Sequence, residues 1–176
     1  WDVQAGRKLR SLEGAGSPLS HLTFHPSGDS LFLADEAGTI RKWTIASRAL
    51  HEFGKVTSRH KLLCLAISAD GEWVASCAGK EATRLRRVDP ALPSQAYSEF
   101  TDSVGANCLA FSKDGTWLIV GTHGGTFSAH LRGGEPLNQA SSPLFKNATE
   151  CLATSSQGDL LAGGTLDGSI VLYDRH

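Results

Sequence analysis

Methionine is absent from the 176 residues, and tyrosine occurs only twice. A chain without an initiator residue is expected to be cut from something longer. No apolar run approaches the ~18 residues of a membrane-spanning helix, so no membrane association is expected. The N-terminus shows no basic, apolar and small-residue succession of a secretory signal, so a cytoplasmic setting with reduced thiols is expected. Charge of one sign is lacking too. The formal net charge is -1, and no nucleic-acid partner is expected where a strongly basic surface is missing. The four cysteines include no Cys-x-x-Cys pair, and the seven histidines show no His-Glu-x-x-His spacing, so no metal site begins here. There is no Gly-x-Ser-x-Gly elbow and no Walker sequence. Gly121-Thr-His-Gly-Gly125 is glycine-rich but ends a strand rather than opening a helix. No enzyme and no cofactor is expected.

What remains is ordinary globular composition, 40% hydrophobic and 20% charged, with enough apolar material for a core. The charge is unevenly spread. Residues 1–88 hold 13 Lys+Arg and 9 Asp+Glu, whereas residues 89–176 hold 4 and 9. Opposite halves favour head-to-tail association, although salt screens such fields within ~10 Å.

Repetition organises the chain. Four turn segments, His25-Pro-Ser-Gly28, Ala69-Asp-Gly71, Lys113-Asp-Gly115 and Ser156-Gln-Gly158, place glycines at steps of 43, 44 and 43 residues. A second series, Gly38, Ala82, Gly125 and Gly168, steps by 44, 43 and 43, and each is followed by Thr or Ser. Glycine recurs because tight hairpins need a residue that tolerates positive φ. Between the turns lie segments such as Leu109-Ala-Phe111, Trp117-Leu-Ile-Val120 and Ile170 to Tyr173. Short apolar runs bounded by Gly and Asp turns are strands rather than helices. Weaker fourth segments fit at Lys8 to Leu12, Ala49 to Phe53, Ala96 to Phe100 and Leu137 to Ala140. The expected repeats are 3–44, 45–88, 89–131 and 132–176.

Trp1-Asp2, Gly38-Thr-Ile-Arg-Lys-Trp43 and Asp167-Gly-Ser-Ile-Val-Leu-Tyr-Asp174, set in this period, resemble the WD-repeat (WD40) family of β-propellers. Phe111-Ser-Lys-Asp-Gly115 and Ile67-Ser-Ala-Asp-Gly71 are similar to the family's innermost hairpin. The resemblance covers essentially the whole chain. It implies an all-β WD40-type propeller segment of four blades, each a four-stranded antiparallel sheet. These are half of a seven- or eight-bladed ring, or one half of a ring made by two copies. It also implies that residues 7–12 pair beside Ile170 to Tyr173, since such propellers close by lending a strand to the last blade.

Family blades often carry a buried tetrad of Trp, Ser or Thr, His and Asp. Spacing puts Trp43, Arg87, His130 and Tyr173 at the Trp position, and Ala37, Glu81, Gly124 and Asp167 at the Asp position. Leu33, Cys77, Val120 and Gly163 take the Ser/Thr position, and Ala15, Ser58, Asp102 and Phe145 the His position. No blade has a complete set, so apolar packing between blades is expected to carry the fold.

Cys64, Cys108 and Cys151 share one repeat position, where His21 stands in the first repeat. Together with Cys77 they read as structural strand residues. Trp73 and Trp117 each stand two residues after a turn glycine and read as packing residues. In Arg84-Leu-Arg-Arg87, strand alternation sends Arg84 and Arg86 one way and Leu85 and Arg87 the other. That run reads as a solvated strand face, or as a patch for acidic peptides or phosphate. The sequon Asn147-Ala-Thr149 carries no weight without secretion.

The resemblance further implies a rigid scaffold binding a protein or peptide on the face around the channel. The matching positions are Pro18, Ser20 and Glu36; Lys61, Leu63 and Lys80; Gly105, Asn107 and His123; Ala148, Glu150 and Leu166. This set is mixed in charge and has no aromatic, whereas binding hot spots favour Trp, Tyr and Arg. The expected role is therefore half of a composite surface. The alternative is a half-propeller whose main partner is a second copy.

Overall fold

The tight turns predicted from glycine spacing close in one recurring way, dictated by a serine ahead of them. Ser68 Oγ accepts the Trp73 N–H at 2.9 Å and donates to Asp70 Oδ1 at 2.5 Å, while the Gly71 N–H reaches the Ser68 carbonyl at 2.9 Å. Ser112 repeats this set with Trp117, Asp114 and Gly115, and Ser155 with Leu160, Asp159 and Gly158. A side chain that satisfies the turn's own backbone makes the hairpin locally favourable. The first turn has His25 at the serine position, and its Nε2 reaches across to the Gly71 carbonyl of the second turn at 3.1 Å.

In this computed structural model, the described residues are 2, 4–9, 11, 16–56, 64–78, 83–89, 97–100, 105–132, 135–139 and 146–174. Of these, 97–100, 127–132 and 135–139 are described by backbone alone. They form fifteen strands and no helix. The first sheet holds β1 (Leu19–Phe24), β2 (Ser30–Asp35), β3 (Thr39–Thr44) and β4 (Leu50–Lys55). The second holds β5 (Cys64–Ile67), β6 (Trp73–Cys77), β7 (Thr83–Arg87) and β8 (Tyr97–Phe100). The third holds β9 (Ala106–Phe111), β10 (Trp117–Thr122), β11 (Gly125–Arg132) and β12 (Glu135–Gln139). The last holds β13 (Thr149–Thr154), β14 (Leu160–Thr165) and β15 (Ile170–Asp174). Every pairing joins consecutive strands and is antiparallel. This is the meander of propeller blades.

Four strands are expected in every blade; among the described residues the last sheet has three. Of residues 7–12, the described ones (7–9 and 11) do not pair beside Ile170–Tyr173, and Arg10 and Leu12 lie outside the described residues. Instead Arg7 bridges Asp2 through backbone bonds of 2.8 and 3.3 Å, and Asp2 Oδ1 accepts the Ala5 N–H at 3.0 Å. An aspartate that caps its own turn, with Gly6 at positive φ, closes this segment on itself. A local turn costs less chain entropy than a strand carried to a sheet far along the sequence.

The register also moves the tryptophan column. Trp43 faces Leu31, Arg86 faces Val74, Ala129 faces Leu118 and Tyr173 faces Leu161. The column is therefore Trp43, Arg86, Ala129 and Tyr173, not the set with Arg87 and His130. The hairpins differ in length: Thr122 stands directly opposite Gly125, whereas Ala34 faces Ile40 and Gly164 faces Ile170. Counting from the second glycine thus drifts by one residue.

The core lies between sheets. Phe32, Ala34 and Ile40 of the first sheet meet Leu65 and Val74 of the second. Trp73, Cys77 and Leu85 on the other face of the second meet Leu109, Phe111 and Leu118 of the third. Ile119 and Trp117 of the third then meet Leu161, Leu152 and Val171 of the last. Strand alternation puts apolar residues on both faces, so each inner sheet is covered twice. Among the described residues the row does not close. Leu22 and Phe24 on the outer face of β1 are 54% and 62% exposed, whereas their repeat equivalents Leu65 and Phe111 are 3% and 7% exposed. On the last sheet Leu172 is 66% exposed, where Leu85 in the second is 0% exposed. Leu31 and Leu33 of β2 remain buried.

Gly28 and Gly71 share a left-handed backbone, with φ of 72° and 76°, but only at Gly71 would a Cβ run into the His25 ring. Gly28→Ala should cost roughly 1–2 kcal/mol for the left-handed strain alone. Gly71→Ala should cost clearly more in urea unfolding, and His25→Ala in the same chain should recover the excess. Equal losses for the two alanines would contradict the contact.

Candidate functional site: the channel face

The innermost strands β1, β5, β9 and β13 lie side by side in that order. Among the described residues, the loops leading into β1, β9 and β13 and the hairpins after β2, β10 and β14 lie at one rim. Backbone bonds tie the two kinds of loop together at repeat-equivalent places: the Glu36 N–H reaches the Pro18 carbonyl, and the Leu166 N–H the Ala148 carbonyl, both at 2.9 Å.

Among the described residues, the hairpin tips of the first, third and last sheets are each held by a buried polar side chain. Asp35 Oδ1 accepts the Thr39 N–H at 2.8 Å, and its Oδ2 takes Arg41 Nη1 at 2.5 Å. Burial alone would raise the Asp35 pKa, but the Arg41 hydrogen bond and the Thr39 N–H outweigh it and hold the carboxyl below the usual aspartate range. Thr122 Oγ1 donates to the Gly125 carbonyl at 2.9 Å and accepts the Gly124 N–H at 3.0 Å. Thr165 Oγ1 donates to Asp167 Oδ1 at 2.6 Å, and the Ser169 N–H reaches the same oxygen at 3.0 Å. These bonds, the Thr165 hydroxyl foremost, lower the pKa of exposed Asp167.

Of the sequence-predicted face, Pro18, Glu36, His123, Glu150 and Leu166 are exposed, and Ser20, Asn107 and Ala148 are half-buried. Gly105 is buried at a φ of 77° and shapes the loop rather than offering a contact. Lys61, Leu63 and Lys80 lie outside the described residues. Asn107 Nδ2 donates to the Thr149 carbonyl at 3.3 Å and to Glu150 Oε1 at 3.2 Å, joining the third and last sheets at the rim. Ser20 Oγ stays within its own sheet, on the Ala34 carbonyl at 3.2 Å.

Sequence reasoning missed Asn147 and Asp167 as rim residues. Both are exposed, and Asn147 Nδ2 donates to Asp167 Oδ2 at 2.8 Å. Their signal was present: Asp167 is the one tetrad aspartate kept, and Asn147 begins the dismissed sequon, whose Thr149 hydroxyl is buried 2.7 Å from Thr126 Oγ1.

The cysteine column lies below the rim. Cys64 Sγ lies 3.9 Å from the Leu109 carbonyl and Cys108 Sγ 3.8 Å from that of Thr149, so two thiols touch the neighbouring sheet. Burial pushes the Cys108 pKa up to about 12. Cys77 stands opposite Cys64, and their thiol hydrogen bond together with burial raises the Cys77 pKa. Such thiols are poor nucleophiles. Cys151 is exposed on the uncovered last sheet.

The WD domain, G-beta repeat family matches residues 51–82, 94–128 and 146–174, more than half of the chain. The chain belongs to the WD40 repeat family. Its sequence is similar to the SEC12-like protein 2 of Arabidopsis thaliana, 29% identical over 191 aligned residues that cover 98% of this chain and 45% of the relative. The chain thus spans less than half the length of this curated relative. Its structure is similar to Kuenenia stuttgartiensis Hydrazine Synthase, with a TM-score of 0.68 at 16% identity, covering 96% of this chain and 49% of that one. That likeness shows the propeller fold alone.

A depressed carboxyl stabilises the fold above its unfolded value and ceases to do so as pH falls through the folded value. Asp35 should therefore make unfolding easier on descending below about pH 4, the ordinary aspartate range. Asp35→Asn should be less stable at neutral pH and show a flatter acid limb in urea titrations. Parallel acid limbs for the two proteins would remove Asp35 as the cause.

Proposed function

We propose that the chain is a non-catalytic scaffold whose rim forms half of a composite surface for a protein or peptide partner. The observation that carries this reading is the repeated tie between entry loop and hairpin, Glu36 to Pro18 and Leu166 to Ala148. A rim braced in this way holds Glu36, His123, Glu150 and Leu166 exposed on fixed supports. Ordered loops on a stiff framework lose little entropy on binding. WD40 membership supports the same reading. The rim has no aromatic anchor among its described predicted residues, which suits a surface completed by further blades. Replacing Glu36 and Glu150 by Arg and Leu166 by Asp should weaken capture of a specific partner by about tenfold or more, a typical hot-spot loss. Ser156→Arg, in a turn between inner and second strands, should leave capture unchanged. Equal capture by the rim variant would overturn the reading.

A second reading, self-assembly into an eight-bladed ring, has its own observation. The uncovered faces are the outgoing face of the last sheet and the incoming face of the first, the two kinds of face that meet between inner sheets. Exposed Leu160, Ile170 and Leu172 stand on one, and Leu22 and Phe24 on the other. Under this reading, light scattering on a dilution series gives a dimer that Leu172→Asp splits into monomers. A monomer at all concentrations would leave those faces to further blades of a longer chain, in keeping with the longer relative.

A further inference from the structure

Three of the four inner strands carry a cysteine at one repeat position, and what stands opposite differs between sheets. Cys108 faces Gly121 and Cys151 faces Gly164, whereas Cys64 faces Cys77. At both glycines a Cβ would run into the cysteine sulfur. A thiol at this inner-strand position therefore leans across the ladder onto the opposite strand. In the second sheet the residue opposite carries a sulfur of its own.

Directly opposed residues leave the same face of a sheet, with Cβ atoms about 4.5–5.5 Å apart. A disulfide asks for about 3.5–4.5 Å between them, so a modest approach of the strands suffices. The place allows it. Cys64 is the first residue of β5 and Cys77 the last of β6, at the open end of the hairpin that the Ser68 turn closes. Both side chains belong to the apolar core against the third sheet, Cys64 being 7% and Cys77 0% exposed. The two thiols differ in character. Donation by the Cys77 thiol, and then by the Leu109 N–H at 3.3 Å, outweighs burial and holds the Cys64 pKa below the usual thiol range. Cys64 is therefore the sulfur suited to attack, with Cys77 placed to resolve.

We propose that Cys64 and Cys77 form a reversible redox site, which hydrogen peroxide closes to a cross-strand disulfide. The Cys64 thiolate attacks one peroxide oxygen, the O–O bond breaks, and hydroxide leaves to take up the proton that Cys64 gave. The resulting sulfenic acid is reactive enough to condense with a neighbouring thiol. The Cys77 sulfur attacks the Cys64 sulfur, the S–O bond breaks, and the departing oxygen carries off the Cys77 proton as water. Two thiols thus lose two electrons and two protons, and one peroxide becomes two waters. A bond that must draw two strands together is of the kind that free thiols reopen. It joins the strand ends that continue, in sequence, toward the channel-face positions Leu63 and Lys80, but it stands without the scaffold reading.

The test treats the folded protein with dilute hydrogen peroxide, unfolds it in an alkylating agent, and locates linked and free cysteines by peptide mass spectrometry. Cys64 and Cys77 should be lost together as alkylatable thiols, appear as one linked pair of peptides two hydrogens lighter, and return together on dithiothreitol. Cys108→Ser should leave the link unchanged. Cys77→Ser should lose the link and accumulate sulfenic acid at Cys64, trapped several-fold more by dimedone than in the unaltered protein. The measurement on the unaltered protein decides the matter even where a variant fails to fold. Cys64 and Cys77 both alkylated after exposed Cys151 has reacted would sink the proposal. So would a link from Cys64 to Cys108, or a Cys64–Cys77 link that forms only in urea.

Discussion

Everything in this structure depends on the two-sidedness of a strand. Residues that alternate along β6 send Trp73 and Cys77 to one neighbour and Val74 to the other, so a sheet of this sequence is stable only when both faces are covered. Apolar area removed from water is the main favourable quantity, and here almost all of it lies between sheets rather than inside one. Hydrogen-bonded turns such as Ser68 with Asp70 and Trp73 set where strands begin. They do not hold one blade to the next. The blade-to-blade contacts are mostly side chains of the inner and second strands with third-strand residues such as Ile40 and Leu85, helped by Cys64, Cys108 and His25 reaching onto neighbouring backbone.

The repeat and its strands could be read from sequence because the turn chemistry is local. A serine, an aspartate and a glycine within five residues close each of these three hairpins, and the positive-φ glycines recur at the predicted turns. The strand ends of the outer segments, such as β4 at Leu50–Lys55, fell close to where composition put them. Two expectations failed for physical reasons. Asp2 and Gly6 complete a turn of their own, which no pattern at the scale of a blade reveals. The tryptophan column slipped because register depends on how each hairpin closes, and a spacing count presumes equal loops.

Sites were less legible than strands. The rim positions followed from the repeat, yet burial of Gly105 and the bond from Asn107 to Glu150 depend on how two sheets approach. The seat of Arg86, whose Nη1 donates to the Phe53 carbonyl at 2.6 Å, was further from view. Strand alternation separates Arg84 and Arg86 from Arg87 at once, but the seat of the guanidinium is built by Phe53 and Gly54, more than thirty residues earlier. A glycine that no turn requires, where a Cβ would meet the guanidinium, was the trace of that seat in the sequence.

The open row of sheets has a consequence for cooperativity. Among the described residues the main contacts of each sheet are with its immediate neighbours, so the array behaves as a one-dimensional chain of coupled units. The second and third sheets gain two interfaces each, and the outer two gain one. Amide exchange should therefore be slowest in the middle pair and fastest in β1 and β15, with opening that begins at the ends and moves inward. Damage at Leu65 would be felt by the sheets on either side and hardly beyond. Closing the row would change its character: joined ends leave no place to begin fraying, and a graded array becomes a single cooperative body.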